Sequence, residues 1–214
     1  MSKLDELKKL EAEIEADTAL PLYGQANLVF GEGNIDCKVM FVGEAPGANE
    51  DRLKRPFVGR GGQLLDRMIE AIGWKRADVY ISNIVKRRPP ENRDPLPAEI
   101  EAYKPYLTRQ IAIIDPPIVC TLGRFSMNYF LPDAKMTRDH GRVLNIDGRL
   151  IYPVYHPAAA LRSTEMMNVF REDLMKLPKV VSGELTVHIS KPIALPEAKA
   201  QAKKMTKPEQ PGLF

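Results

Sequence analysis

Two short segments hold side chains of the types that exchange protons and meet developing charge. One is Gly43-Glu-Ala-Pro-Gly-Ala-Asn-Glu-Asp51, directly behind the apolar run Val39-Met-Phe-Val42. The other lies far downstream, at Tyr155-His-Pro-Ala-Ala-Ala-Leu-Arg162. The first brings carboxylates and the second a histidine, groups that act as acids, bases or fixed donors once a fold sets them within hydrogen-bond reach. Each segment reads as a strand opening into a tight polar turn. In an open α/β sheet the functional crevice forms where strand ends release their loops, so two loops distant in sequence can meet there.

The elements that must position these turns alternate along the chain. Strands are expected at Lys38 to Val42, Val79 to Val85, Pro117 to Leu122 and Leu150 to Tyr155, each rich in β-branched or aromatic residues. Helical spacing marks residues 3 to 15, with Leu4, Leu7, Leu10 and Ile14 among charges, then Gly62 to Gly73, Leu96 to Asp115, Arg124 to Leu131 and Met166 to Leu177. Strand alternating with helix implies an α/β three-layer sandwich, a central mostly parallel four-stranded sheet flanked by helices. From about Ser182 prolines and lysines replace apolar periodicity. A domain over 1–181 and a flexible tail over 182–214 are expected.

A chain of 214 residues, 44% of them hydrophobic, can bury one good core. Lysine and arginine number 31 against 28 aspartate and glutamate, so net charge alone does not suggest a nucleic-acid partner. The distribution says more. Acidic residues crowd the first helix, whereas Arg52, Lys54, Arg55 and Arg60, and then Lys86, Arg87, Arg88 and Arg93, follow predicted strands on the side of the polar turns, where a polyanion would approach. Cys37 and Cys120 are far apart and form neither a disulfide framework nor a metal-ligand pair. With no apolar segment long enough to span a bilayer, a soluble protein of a reducing interior is expected, cytoplasmic and nucleoid-associated, with no membrane partner.

Six motifs, in order, carry a family resemblance. Gly43-Glu-Ala-Pro-Gly47 with Glu50-Asp51, Arg55-Pro-Phe-Val-Gly-Arg-Gly-Gly-Gln-Leu-Leu65, Tyr80-Ile-Ser-Asn-Ile-Val-Lys86, Arg88-Pro-Pro-Glu-Asn-Arg-Asp-Pro95, Leu122-Gly123 and His156-Pro-Ala-Ala-Ala-Leu-Arg162 together resemble a family 4 uracil-DNA glycosylase, from roughly Phe30 to Leu177. The resemblance implies hydrolysis of the bond between uracil and deoxyribose after the nucleotide leaves the stack, the first step of base-excision repair. It implies Glu44 and His156 as catalytic residues. Glu44, Ala45, Pro46, Glu50, Phe57, Asn83 and His156 would line the uracil pocket, with Phe57 stacking on the base, Asn83 reading its edge, and Glu50 excluding thymine's methyl group. His156 would meet charge on a uracil oxygen, and Glu44 would position the water. Ala45 stands where the best-known uracil glycosylases carry an aspartate. Arg60, Lys86, Arg88 and Arg162 would contact DNA, and Leu161 would fill the gap left by the base. His140 and His188 read as structural.

Family 4 enzymes usually hold a four-iron, four-sulfur cluster on four cysteines, and alignment of the flanking residues puts Asp17, Leu20, Arg87 and Tyr103 at those positions. No metal or other cofactor is therefore expected. Asp17 opposite Arg87 and Leu20 opposite Tyr103 are the expected replacements for the cluster's links. A related branch traps uracil DNA covalently through a histidine after the Asn83 strand; Lys86-Arg-Arg-Pro-Pro-Glu-Asn-Arg93 has none, so turnover is expected. The end of the chain, Gln210-Pro-Gly-Leu-Phe214, resembles the peptide by which bacterial repair proteins bind a sliding clamp, through Gln210, Leu213 and Phe214. The partners implied are uracil-containing DNA and such a clamp, for a monomer. The rival readings are a non-catalytic DNA-binding or clamp-associated module and a nucleotide-processing enzyme on the same scaffold.

Overall fold

The computed structural model describes residues 1–146 and 148–189. In chain order the elements are α1 (Lys3–Ala16), β1 (Glu32–Gly33), β2 (Val39–Gly43), α2 (Ala48–Leu53), α3 (Arg60–Ala71), β3 (Tyr80–Asn83), α4 (Pro97–Ile114), β4 (Ile118–Leu122), α5 (Arg124–Phe130), α6 (Met136–Asp139), β5 (Val143–Ile146), β6 (Arg149–Val154), α7 (Pro157–Ala160), α8 (Thr164–Ser182) and β7 (Val187–Ile189). The α/β class and its flanking helices are as expected, but among the described residues the sheet has seven strands, in the order β1-β3-β2-β4-β6-β5-β7. The four expected strands form its parallel centre, β3-β2-β4-β6. Short strands extend both sides: β1 pairs antiparallel with β3, β5 pairs antiparallel with β6, and β7 runs parallel to β5. Because α8 runs to Ser182 and β7 joins the sheet, the boundary expected after residue 181 falls inside the folded region. Gln210, Leu213 and Phe214 lie outside the described residues.

The central strands are mostly apolar and almost wholly buried because both of their faces are covered. Val39 and Phe41 of β2 face one core with Leu64, Leu65 and Ile69 of α3 and Phe170 and Leu174 of α8. Met40 and Val42 face the other, with Leu7, Leu10 and Ile14 of α1 and Tyr103, Leu107 and Ile111 of α4. Ser2 and Asp5 form a capping box that starts α1, whose buried residues make one stripe. Among the described residues no helix is long and apolar enough to cross a membrane.

The parallel register does the positioning. Gly43 stands opposite Asn83, and pairing continues past both strand ends through Ile84 N–H to Gly43 O (3.0 Å) and Val85 N–H to Glu44 O (3.0 Å). Across the sheet, Gly123 N–H bonds Val154 O at 2.9 Å, which sets the turn after β4 against the turn after β6. The carboxylate and histidine turns therefore open on the same end of the sheet.

Candidate functional site

At that end lies a cleft of about 580 Å³, lined by residues of the turns after β2, β3 and β6 and by the start of α3. Its floor is Phe57. The ring packs on Gly43, which has no Cβ; a methyl there would stand 2.6 Å from Phe57 Cε2 and 2.5 Å from Asn83 Oδ1. Phe57 has φ +50°, in the left-handed region that aromatic residues seldom occupy. The Glu50 carboxylate tethers the following residues, Oε1 accepting from Val58 N–H (2.9 Å) and Gly59 N–H (2.7 Å). A second holder, Arg76, donates to Pro56 O and Phe57 O at 2.6 and 3.2 Å.

Asn83 is buried beside Phe57, and its Oδ1 has no hydrogen-bond partner. Buried polar atoms are nearly always paired, so an orphan facing a cleft marks a place for a ligand's donor. The rings of His156 and Phe57 lie with centroids 5.7 Å apart at 35°. Pro157 starts α7, and the His156 ring caps it: Ala158 N–H donates to Nδ1 at 3.1 Å. An accepting Nδ1 carries no proton, so in neutral imidazole the proton sits on Nε2, which becomes a donor. Burial lowers the His156 pKa to about 4, with Arg162 acting in the same direction and Glu50 against it. The ring is therefore neutral near pH 7. Glu44 shifts the other way. Burial, and then Asp94, raise its carboxyl to about 7 against the pull of Arg124.

Of the residues singled out from sequence, Glu44, Ala45, Pro46, Glu50, Phe57 and Asn83 line this one cleft together with Arg60, His156 and Arg162. Arg88 stands behind it, donating from Nε to Asn92 Oδ1 at 2.7 Å. Leu161 is partly buried against the core on the α3 and α8 side. Lys86 is not a DNA contact. Its side chain is fully buried, with Nζ donating to Ser82 Oγ and Gln110 Oε1, both at 2.6 Å, because the chain stays in the interior for four residues after Asn83. Arg93 is engaged by Glu99 through two bonds of 2.8 and 2.6 Å. His140 hydrogen-bonds the buried Asp173 at 2.6 Å. Sequence reasoning missed Arg76, Asp94 and Asn92. Asp94 and Asn92 sit inside a quoted motif, whereas Arg76 carries no motif signal.

A model of the uracil DNA glycosylase superfamily matches residues 30–177. The chain belongs to this superfamily. It is 48% identical over 179 residues to the type-4 uracil-DNA glycosylase of Saccharolobus solfataricus, covering 79% of this chain and 80% of that one. The type-4 enzyme of Sulfurisphaera tokodaii is 42% identical over 187 residues, with 81% and 84% covered. That of Thermotoga maritima is 39% identical over 187 residues, with 84% and 97% covered.

Within the uracil DNA glycosylase superfamily, the corner where family 4 enzymes usually bind their cluster offers a carboxylate, an alkyl chain, a guanidinium and a phenol. These do not fit an iron-sulfur cluster, which needs thiolates. Arg87 fills the corner. It donates to Glu15 Oε2 at 2.6 Å and Ala26 O at 2.8 Å, and its guanidinium lies 5.2 Å from the centre of the Tyr23 ring. Its partner is Glu15, not the expected Asp17, whose Oδ2 instead accepts from Tyr106 O–H at 2.6 Å. Leu20 and Tyr103 belong to one apolar cluster, and Tyr103 O–H also bonds Pro21 O at 2.8 Å. Both cysteines are buried, and burial raises Cys37 to about 11 and Cys120 well above its usual value.

Proposed function

We propose that this protein is a uracil-DNA glycosylase that takes uracil out of the DNA stack and hydrolyses its N-glycosidic bond, and that it does so without an iron-sulfur cluster. The observation that carries the reading is the buried, unpaired Asn83 Oδ1 beside Phe57 and near a histidine whose remaining ring proton is on Nε2. Uracil fits this set. With the base stacked on Phe57, Oδ1 accepts from N3–H while the same amide donates to O4, an arrangement that cytosine inverts.

As the glycosidic bond stretches, negative charge builds on the base and positive charge on the sugar. The Nε2–H of neutral His156 donates to the uracil O2 as that oxygen charges, the point at which a fixed donor lowers the barrier. Glu44, ionised in part near neutral pH, orients the attacking water and faces the sugar's positive charge. Glu50 walls the pocket near Gly47, where it crowds a C5 methyl. Leu161 enters the gap in the duplex, and Arg60, Arg88 and Arg162 meet phosphates. The chain acts as a monomer in the cytoplasm, and Gln210, Leu213 and Phe214 recruit it to a sliding clamp; removing Leu213 and Phe214 is expected to abolish clamp binding without changing activity on short oligonucleotides, and equal clamp affinity after truncation would reject this role.

The test is uracil release from an oligonucleotide bearing one uracil, read as alkali-labile cleavage. His156→Ala is expected to slow single-turnover release about 100- to 1,000-fold, the usual loss for one such donor. No release by the parent protein, with DNA binding intact, would replace this reading by that of a binding module.

A further inference from the structure

Phe57 holds a backbone conformation that its own side chain disfavours, so its surroundings must impose it. The polar backbone atoms of residues 56 to 59 show how. On the amide side, Glu50 takes the N–H groups of Val58 and Gly59. On the carbonyl side, Arg76 takes Pro56 O and Phe57 O. A methyl on Gly62, in the first turn of α3, would collide with the Phe57 carbonyl, so that carbonyl is confined between α3 and the guanidinium.

Arg76 is itself fixed on two sides. Nη1 donates to Asp66 of α3 at 2.6 Å, and Nε and Nη2 both donate to Glu32 of β1 at 3.1 and 2.9 Å. Glu32 is also gripped by Arg55 at 2.7 and 2.9 Å, so the loop enters this network by its own side chain as well. Burial would raise the Glu32 pKa, but bonds from Arg55 and Arg76 bring it below the usual value, and the carboxylate stays charged. A planar guanidinium can span two carbonyls and two carboxylates, whereas an ammonium acts from a single point.

We propose that Arg76, buttressed by Glu32 and Asp66, is a positioning residue that sets the Phe57 ring as the surface on which the base stacks. This rests on the reading of Phe57 as the uracil platform. Affinity for the base, more than affinity for the DNA backbone, then depends on a residue that does not line the cleft.

The experiment compares Arg76→Lys, Phe57→Leu and the parent in three measurements: inhibition by free uracil, binding of an oligonucleotide with an abasic site, and single-turnover release. Arg76→Lys is expected to weaken uracil inhibition roughly tenfold, in the range of one lost base–aromatic stack, and to slow release. Abasic DNA binding should hold within about twofold, because phosphate contacts are untouched. Emission of Trp74, two residues away, reports that the turn before β3 is intact. Unchanged uracil inhibition in folded Arg76→Lys overturns the proposal if Phe57→Leu weakens it. If Phe57→Leu also leaves it unchanged, the platform reading itself fails. Should Arg76→Lys not fold, Asp66→Asn removes one buttress and keeps the guanidinium; weaker uracil inhibition supports the proposal and parental inhibition overturns it.

Discussion

Gly43→Ala is the sharpest test of how the cleft is built. Gly43 lies in an extended strand and needs no unusual φ, so alanine is conformationally acceptable and only its methyl matters. That methyl would stand 2.6 Å from Phe57 Cε2 and 2.5 Å from Asn83 Oδ1, where ordinary contact begins at about 3.4 Å. Phe57 Cζ lies closer still, so the ring must retreat by about 1 Å and the amide by about 0.9 Å. Arg76 and α3 confine the Phe57 backbone and strand register fixes that of Asn83, so the side chains must turn from the positions they hold in the cleft. Overpacking of this kind costs about 1–3 kcal/mol, which for a chain of this size lowers Tm by about 2–12 °C. The loss of rate should be larger than the loss of stability, since a displacement near 1 Å in a positioning group can cost about 100-fold. Single-turnover uracil release beside thermal unfolding measures both. Gly61→Ala is the control: it adds a methyl to the same cleft at an ordinary 3.5 Å from Ala158 N, and should fold and keep its rate. Gly43→Ala with the parental rate would show that the contact between Gly43, Phe57 and Asn83 does not set the geometry of the reaction.

Single-turnover rate should rise with pH through about 7 as Glu44 ionises, and Glu44→Gln should remove the rise; a midpoint retained in that variant would assign the titration elsewhere. Burial brings Lys86 down to about 7, so between about pH 7 and its unfolded pKa near 10.4 the unfolded chain holds a proton that the folded chain lacks, and stability must rise with pH. Lys86→Met should flatten that slope, as measured by denaturant unfolding at two pH values in the window. Glu91 is exposed at φ +55°; Glu91→Gly relieves that conformation and should raise the urea midpoint by the equivalent of about 0.5–1 kcal/mol with unchanged m.

The central strands were legible because each is an apolar run ended by a polar turn, and those turns are where the cleft opens. β1, β5 and β7 are two to four residues long and lie outside the parallel centre, too short for periodicity to show. α2 and α7 were hidden inside motifs that read as loops, although the Pro157 that starts α7 is what lets the His156 ring accept from Ala158. The cleft side chains were recognisable from their motifs. The holders were not: Arg76 looks like any charged residue in a turn, since its partners at 32, 56, 57 and 66 converge only through the sheet and α3. Lys86 misled for a related reason, because a lysine after a strand looks solvated until Ser82 and Gln110 are found around it. Arg87 was rightly placed against the amino-terminal segment, but its partner is the glutamate near the end of α1.

The Arg87 corner also decides what can take the molecule apart there. Guanidinium, carboxylate, phenol and carbonyl groups join α1 and the segment after it to Arg87 and to α4. These side chains offer no thiolate, so the joint rests on charge and hydrogen bonding. Its exposure is to ionic strength, because Glu15 is largely open to solvent while Arg87 is buried. The stability of this corner should therefore follow salt concentration.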